Sequence, residues 1–363
     1  MISKVIKFKR KLADIYRIYN ARRIANDKIR KLSNNMPQID KEYEKDIKKF
    51  WNRYKENVNL DWYKFYYNMH GIKDVRYIPD EIFYQKINCK YNKILFENAY
   101  DDKCYYDILF SDLKRPKTIF KNVNGIFFDE FFTQLTEEQA ISRVMDYETF
   151  VVKPSIDSGE GRNVSLIKNT GNQETIDQLK KKMEMLGSDY IVQEAIKQHY
   201  KLASIHDASV NTLRIFSFLH KGEVHILSSV LRMGADGRNI DNQCAGGYTC
   251  GINPSGELKN VIYNSLGQPV KKHPQGFIPS GFIVPAYNEI IDIVKKSHLK
   301  LAHFGFVGWD FAVDTNCNPV FIEFNLGSPG IDLMQWCNGP LFGDMTQEIL
   351  DEVYNIRSDG YEN

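Results

Sequence analysis

Apolar residues recur at three- and four-residue spacing at the start of the chain: Val5, Phe8, Leu12, Ile15, Tyr16 and Tyr19. That period predicts a helix over residues 1–35. Its other face is basic, carrying Lys4, Lys7, Lys9, Arg10, Lys11, Arg17, Arg22 and Arg23. Such a helix either packs its apolar face on the protein body or lies on an anionic membrane or a partner. Helical spacing continues through residues 36–75, where Trp51, Tyr54, Trp62, Tyr63, Tyr66 and Tyr67 read as core. From Ile78 to Asp112 the signals shorten and mix, and Arg115-Pro116-Lys117 marks a break because proline disfavours helix continuation.

Beyond Thr118 the pattern changes to strands with interspersed helices. Strands are predicted at Thr149–Lys153, Val164–Lys168, Tyr190–Val192, Thr212–Phe218, Val224–Arg232, Val307–Val313 and Val320–Asn325. Helices are predicted at Glu174–Leu186, Ala286–His303 and Met345–Tyr354. There is no internal repeat.

The most informative segment is Gly308-Trp309-Asp310-Phe311-Ala312-Val313, then Asp314 to Pro319, then Val320-Phe321-Ile322-Glu323-Phe324-Asn325. Two apolar runs around a cluster of turn formers predict a β-hairpin. Pairing Val313 with Val320 sets Asp310 opposite Glu323. Alternation then puts Trp309, Phe311, Val313, Val320, Ile322 and Phe324 on a core face. Gly308, Asp310, Ala312, Phe321, Glu323 and Asn325 fall on the other. Carboxylates directly opposed across strands repel, so something positive belongs between them. It is either a basic side chain or a hard cation such as Mg²⁺, which oxygen ligands suit.

A second candidate is Val151-Val152-Lys153-Pro154 followed by Ser155-Ile156-Asp157-Ser158-Gly159-Glu160-Gly161-Arg162-Asn163. It reads as a strand and a polar glycine loop, which is either an ordinary turn or a backbone cradle for phosphate. It has neither the P-loop nor the dinucleotide-binding spacing.

Composition narrows the options. A length of 363 residues predicts two or three domains at about 100–200 residues each. Hydrophobic residues at 43% exclude a disordered chain. A net charge of only +2 excludes a global nucleic-acid footprint. The six cysteines form no CxxC pair or zinc spacing, which favours reduced thiols. No apolar h-region follows the basic start and no run of about 20 apolar residues occurs, so a cytoplasmic protein is expected.

Taken together, Lys153, the glycines 159 and 161, Tyr190-Ile191-Val192-Gln193-Glu194-Ala195-Ile196, and Asp310…Glu323-Phe324-Asn325 resemble, in that order, the ATP-grasp superfamily. The turn Asn325-Leu326-Gly327-Ser328-Pro329-Gly330 matches as well, and the resemblance covers roughly residues 100–350. Val210-Asn211-Thr212-Leu213-Arg214, Leu231-Arg232-Met233-Gly234, Asp241-Asn242 with Gly246-Gly247, and Gly330-Ile331-Asp332 resemble more narrowly the group associated with sugar transfer and surface polysaccharides. The resemblance implies an α+β ATP-grasp fold, two α+β lobes gripping ATP between antiparallel sheets, with a helical N-terminal extension. The expected divisions are a helical region 1–75, a leading segment 76–117, a small lobe 118–198 and a C-terminal lobe 199–363. It implies ATP contacts from Lys103, Lys153, Ser158, Gly159, Gly161, Gln193, Glu194 and Ile196. Glu323 would bridge two Mg²⁺ ions, with Asp310 on one and Asn325 on the other and Mn²⁺ as a substitute. Arg214 and Arg232 would stabilise the transferring phosphoryl group or a substrate carboxylate. The implied activity is ADP-forming ligation of a carboxylate to an amine, with an amino acid and a sugar as partners and no nucleic acid. A phosphotransferase acting on a hydroxyl and a non-enzymatic nucleotide-binding module are the alternatives. Peripheral membrane contact would run through residues 1–31.

Overall fold

The computed structural model describes residues 22–156, 161–234, 246–327 and 330–356. Most of the basic amphipathic pattern at the start, together with Ser158, Gly159, Asp241 and Asn242, lies outside the described residues. Two compact units divide the chain. One comprises residues 1–93, 266–269 and 330–363, the other 94–265 and 270–329.

The first unit is helical. Residues 22–33 form a helix that buries Ala25, Ile29 and Ser33 at four-residue spacing. Lys28 on the same helix makes ion pairs with Asp80 at 3.1 Å and Asp332 at 2.5 Å. The described end of the basic helix therefore packs against its own unit. The helical stretch expected over 36–75 is two helices, Lys41–Asn52 and Asp61–His70. Asp40 caps the first by accepting from the Tyr43 N–H, and Gly71 ends the second in the left-handed conformation. The aromatics are core: Trp51, Trp62, Tyr63 and Tyr66 are fully buried, and Tyr66 stacks on Tyr77 at 4.5 Å. Helices Ile331–Asn338 and Thr346–Tyr354 complete the unit. The Gln335 amide donates to Ile78 O and accepts from Ile78 N, both at 2.8 Å.

The second unit holds two antiparallel sheets. Strands β1 (Thr118–Val123), β2 (Ile126–Phe128), β3 (Gln134–Leu135), β4 (Thr149–Pro154), β5 (Ser165–Lys168) and β6 (Tyr190–Glu194) run in the order β3-β2-β1-β6-β4-β5. Phe120, Phe150, Val152 and Val192 form one core with Ala140 and Ile141 of helix Glu137–Arg143 and Leu179 and Met183 of helix Gln173–Leu186. Strands β7 (Thr212–His220), β8 (Glu223–Met233), β9 (Tyr248–Ile252), β10 (Leu258–Tyr263), β11 (Pro269–Val270), β12 (Phe306–Val313) and β13 (Pro319–Asn325) run in the order β11-β10-β9-β8-β7-β12-β13. The long helix expected at Ala286–His303 is shorter: it spans Tyr287–His298 and tightens into a 3₁₀ turn at Leu299–Leu301. Its Ile290 and Val294 pack into the core with Leu213, Ile215 and Trp309. Two α+β lobes with a helical N-terminal region bear out the expected fold class. No helix among the described residues is long and apolar enough to cross a membrane.

The hairpin differs from its expected register. Val313 pairs with Pro319, Ala312 with Val320 and Phe311 with Phe321, yet Asp310 still pairs with Glu323. A bulge between Asp310 and Phe311 on one side and Phe321 and Glu323 on the other reconciles the two registers. It leaves Ile322 as the extra residue. As a result Phe321, expected beside the acids, is in the core with Trp309, Phe311 and Phe324, whereas Ile322 is only half-buried and Val320, though buried, lies outside that cluster.

The turn is held by Asp314, whose carboxylate accepts from the N–H groups of Asn316 at 2.9 Å and Asn318 at 2.8 Å and pairs with Lys114. Burial opposes its ionisation, but Lys114 and the Asn318 donors outweigh burial and hold the carboxyl at about 2. A carboxyl lowered in the folded state stabilises fully above its unfolded value of about 4, and that contribution fades as pH falls through the folded value. Asp314→Ala is therefore expected to cost about 1–2 kcal/mol at neutral pH. Its loss of stability relative to wild type should shrink between pH 4 and 2, which denaturant titrations at stepped pH will measure.

Candidate active site

Strand β12 lies between β13 and β7, so Asp310 has Glu323 opposite it on one side and Arg214 on the other. Residues paired directly across antiparallel strands share a face. The sheet thus carries a row Glu323–Asp310–Arg214 that crosses three strands. Asn325 sits two residues beyond Glu323 and pairs with Gly308, which has no side chain to crowd it. Arg232 comes from β8, where it pairs with Thr212.

Asp310 is 3% exposed and is gripped from two sides. Arg214 binds it in a fork, Nε to Oδ1 and Nη2 to Oδ2 at 2.7 Å, and Arg232 Nη1 reaches Oδ2 at 3.2 Å. Glu323 pairs through Oε2 with Lys103 Nζ at 3.1 Å. The Lys103 backbone N–H donates to Ser155 O at 3.0 Å, which fixes this lysine against the end of β4. Burial opposes ionisation of Glu323, but Lys103, Lys153 and Arg214 overcome it and hold the carboxyl well below the usual carboxylate range. Lys153, on β4, is pushed down to about 8 by burial first and by Lys103 second, with Glu323 opposing. The repulsion expected between the opposed acids is thus answered by basic side chains. Among the described residues, four of them surround two carboxylates, an excess of positive charge that suits a polyanion.

The donor set also fits a hard cation. Glu323 leaves Oε1 outside its ion pair, and the buried Nδ2 of Asn325 has no hydrogen-bond partner to lock the amide, so its oxygen can be turned to a cation. Carboxylate and amide oxygens are the ligands Mg²⁺ takes.

On the first sheet, Val151 and Lys153 share a face of β4, two residues apart. Val151, Val164 and Leu166 line a cavity of about 1080 Å³ with Glu194, Ala195 and Ile196. Ala208, Ser209 and Val210 line it as well. Its dimensions and its mix of apolar and polar lining suit a nucleobase with its ribose. Glu194 and Ile196 therefore border this cavity. The side chain of Gln193 does not, because its amide is spent on Pro116 O at 3.3 Å. Gly161 has φ +69°, a backbone that favours glycine. Ser158 and Gly159 lie outside the described residues. Sequence reasoning missed Val151 as a lining residue, although its alternation with Lys153 was the signal.

The sugar-transfer associated ATP-grasp family matches residues 82–350. That span is well over half of the chain, and it decides the family. The chain belongs to the sugar-transfer associated ATP-grasp family. No curated relative matches it. Among solved structures it is similar to D-alanyl-alanine synthetase A from Vibrio cholerae, at 13% identity and TM-score 0.42 over 71% of this chain and 66% of that one. It is also similar to an L-amino acid ligase from Bacillus licheniformis, at 13% identity and TM-score 0.40 over 71% and 48%. The VanG D-Ala:D-Ser ligase from Enterococcus faecalis matches at 13% identity and TM-score 0.40 over 70% and 61%. The chain spans about half to two thirds of the length of these structures. Family membership makes this an ATP-grasp protein, as expected from the sequence.

A phosphate contact to Lys153 predicts a particular pH dependence. In the ligand-free enzyme its ammonium loses a proton near pH 8, whereas beside phosphate it keeps the proton to higher pH. Binding above pH 8 must then take up a proton, and affinity falls as pH rises, by up to about tenfold per unit. Calorimetry between pH 7 and 9 should show this slope with ATP, and Lys153→Met should flatten it. A wild-type affinity independent of pH would remove Lys153 from the phosphate site.

Proposed function

We propose that this ATP-grasp enzyme is an ADP-forming carboxylate–amine ligase that acts in glycan modification. The observation that carries the reading is the row Glu323–Asp310–Arg214, with Asn325 beyond it and Lys103 and Lys153 facing it. Glu323 would hold two Mg²⁺ ions, with Asp310 on one and Asn325 on the other, and Mn²⁺ would substitute. When bound, Mg·ATP supplies the γ-phosphoryl group that converts a carboxylate into an acyl phosphate, which an amine then displaces to give amide and phosphate.

The chain's own residues bind, orient and neutralise. Lys103 and Lys153 hold the phosphate chain, while Glu194, Ala195 and Ile196 border the base. Arg214 is oriented by Asp310 and presents its guanidinium to the phosphoryl or carboxylate oxygens, for which that planar group is shaped. Arg232 does the same from the neighbouring strand. Gly161 would contact the phosphates through its backbone. The family's association with sugar transfer supports a sugar carboxylate or sugar amine as one substrate; an amino acid is proposed as the other.

Glu323→Gln keeps size but removes one anionic oxygen ligand. The variant is expected to keep its far-UV dichroism, while amide formation drops by on the order of 10²-fold or more at saturating Mg·ATP. The assay is ADP release dependent on both a carboxylate and an amine, screened over amino acids and sugar uronates with product mass analysis. Near wild-type amide formation by the variant would sink the metal assignment. A stable phosphorylated product without phosphate release would replace the ligase with a phosphotransferase.

A further inference from the structure

The chain turns directly after Asn325, through Leu326 and Gly327, and this turn is braced from an unexpected direction. A methyl group added to Gly327 would overlap Oε1 of Glu97 and lie 2.9 Å from its Cδ and 3.1 Å from Oε2. Gly327 does not have a left-handed backbone, so it is space, not conformation, that a side chain here would lack. The atoms filling that space are the end of the Glu97 side chain.

Glu97 opens the short helix Glu97–Tyr100, and the chain reaches Lys103 three residues later. Lys103 pairs with Glu323. One short segment therefore touches the acidic strand twice, at Glu323 through Lys103 and past Asn325 through Glu97. Asn325 itself has little else to fix it. Its Nδ2 is buried without a partner, so no hydrogen bond from that atom sets the amide's rotation. Its aim rests on the backbone that carries it, held by pairing to Gly308 on one side and by the Glu97–Gly327 contact on the other.

We infer that Glu97 is a positioning residue: its carboxylate packs against Gly327 and thereby sets the backbone that aims Asn325 at the metal site. The inference rests on the proposed role of Asn325. Groups that orient a ligand change metal affinity by about 10- to 100-fold when removed, without touching the ion.

The test uses the full chain, Mn²⁺ and ADP, with free Mn²⁺ counted by electron paramagnetic resonance, and needs no substrate. Glu97→Ala removes the brace. Gly327→Ala displaces it, and because the displaced atoms end a flexible side chain, folding should survive. Each variant is expected to weaken Mn·ADP binding by roughly tenfold while its melting temperature stays within about 3 °C of wild type. The double variant should be no weaker than either single one, because the methyl added at position 327 has nothing to displace once the Glu97 carboxylate is gone. Asn325→Ala is measured alongside. If it weakens Mn·ADP binding while either Glu97→Ala or Gly327→Ala leaves it unchanged, or while the two losses add, the positioning role is overturned and the site reading stands. If Asn325→Ala itself changes nothing, the site reading falls and this inference with it.

Discussion

Two carboxylates facing each other across adjacent strands are the constraint on which the site depends. Asp310 is almost fully buried, and Glu323, half-buried beside it, keeps its charge. Such a pair is unfavourable alone, and taking charges out of water costs several kcal/mol per ion before any compensation. Compensation comes from four side chains brought together from distant segments: Lys103 ahead of the first sheet, Lys153 on β4, and Arg214 and Arg232 on the paired strands β7 and β8. Buried ion pairs are weak evidence for stability. Their worth here is geometric, because each one fixes a donor or acceptor where a polyanion and its cation would meet.

The bulge at Ile322 is what lets this face coexist with a packed core. Without it, a hairpin that starts from Val313 and Pro319 would offset Glu323 from Asp310 by one residue and turn its side chain to the other face. With it, Phe321 and Phe324 both enter the core, although their separation of three positions breaks strand alternation. Both demands are met at the cost of one unpaired residue, a common device beside functional sites.

That bulge also shows where the sequence was and was not legible. Strand and helix positions followed from periodicity, because one face of each element must be apolar. The Asp310–Glu323 pairing was read correctly, but through a turn register one residue off that the bulge cancels. A bulge has no single-residue signature here, and Ile322 looks like any strand residue. The neutralisation of Asp310 was illegible for a different reason. Arg214 and Asp310 are neighbours only because β7 lies beside β12 in the sheet, a non-local pairing that no local pattern encodes. Lys103 was reached only through family resemblance. Glu97, inside Ile94-Leu95-Phe96-Glu97-Asn98, carries no motif at all, and only the space at Gly327 reveals it.

The hydrogen-bond ledger of the two acids further ranks them as ligands. A carboxylate offers about four lone-pair sites. Arg214 and Arg232 occupy three on Asp310, one at Oδ1 and two at Oδ2. Lys103 occupies one on Glu323, leaving Oε1 open. Asp310 can therefore give a cation one direction through Oδ1 unless an arginine lets go, while Glu323 can give several. That asymmetry matches the proposed division of labour, with Glu323 shared between ions and Asp310 serving one. It also links the arginines to the proposed metal site. A cation held by Asp310 would compete with Arg214 and Arg232 for its oxygens, and their planar guanidinium groups are shaped for phosphoryl oxygens. The same carboxylate that would serve the cation thus also holds both arginines in place beside it.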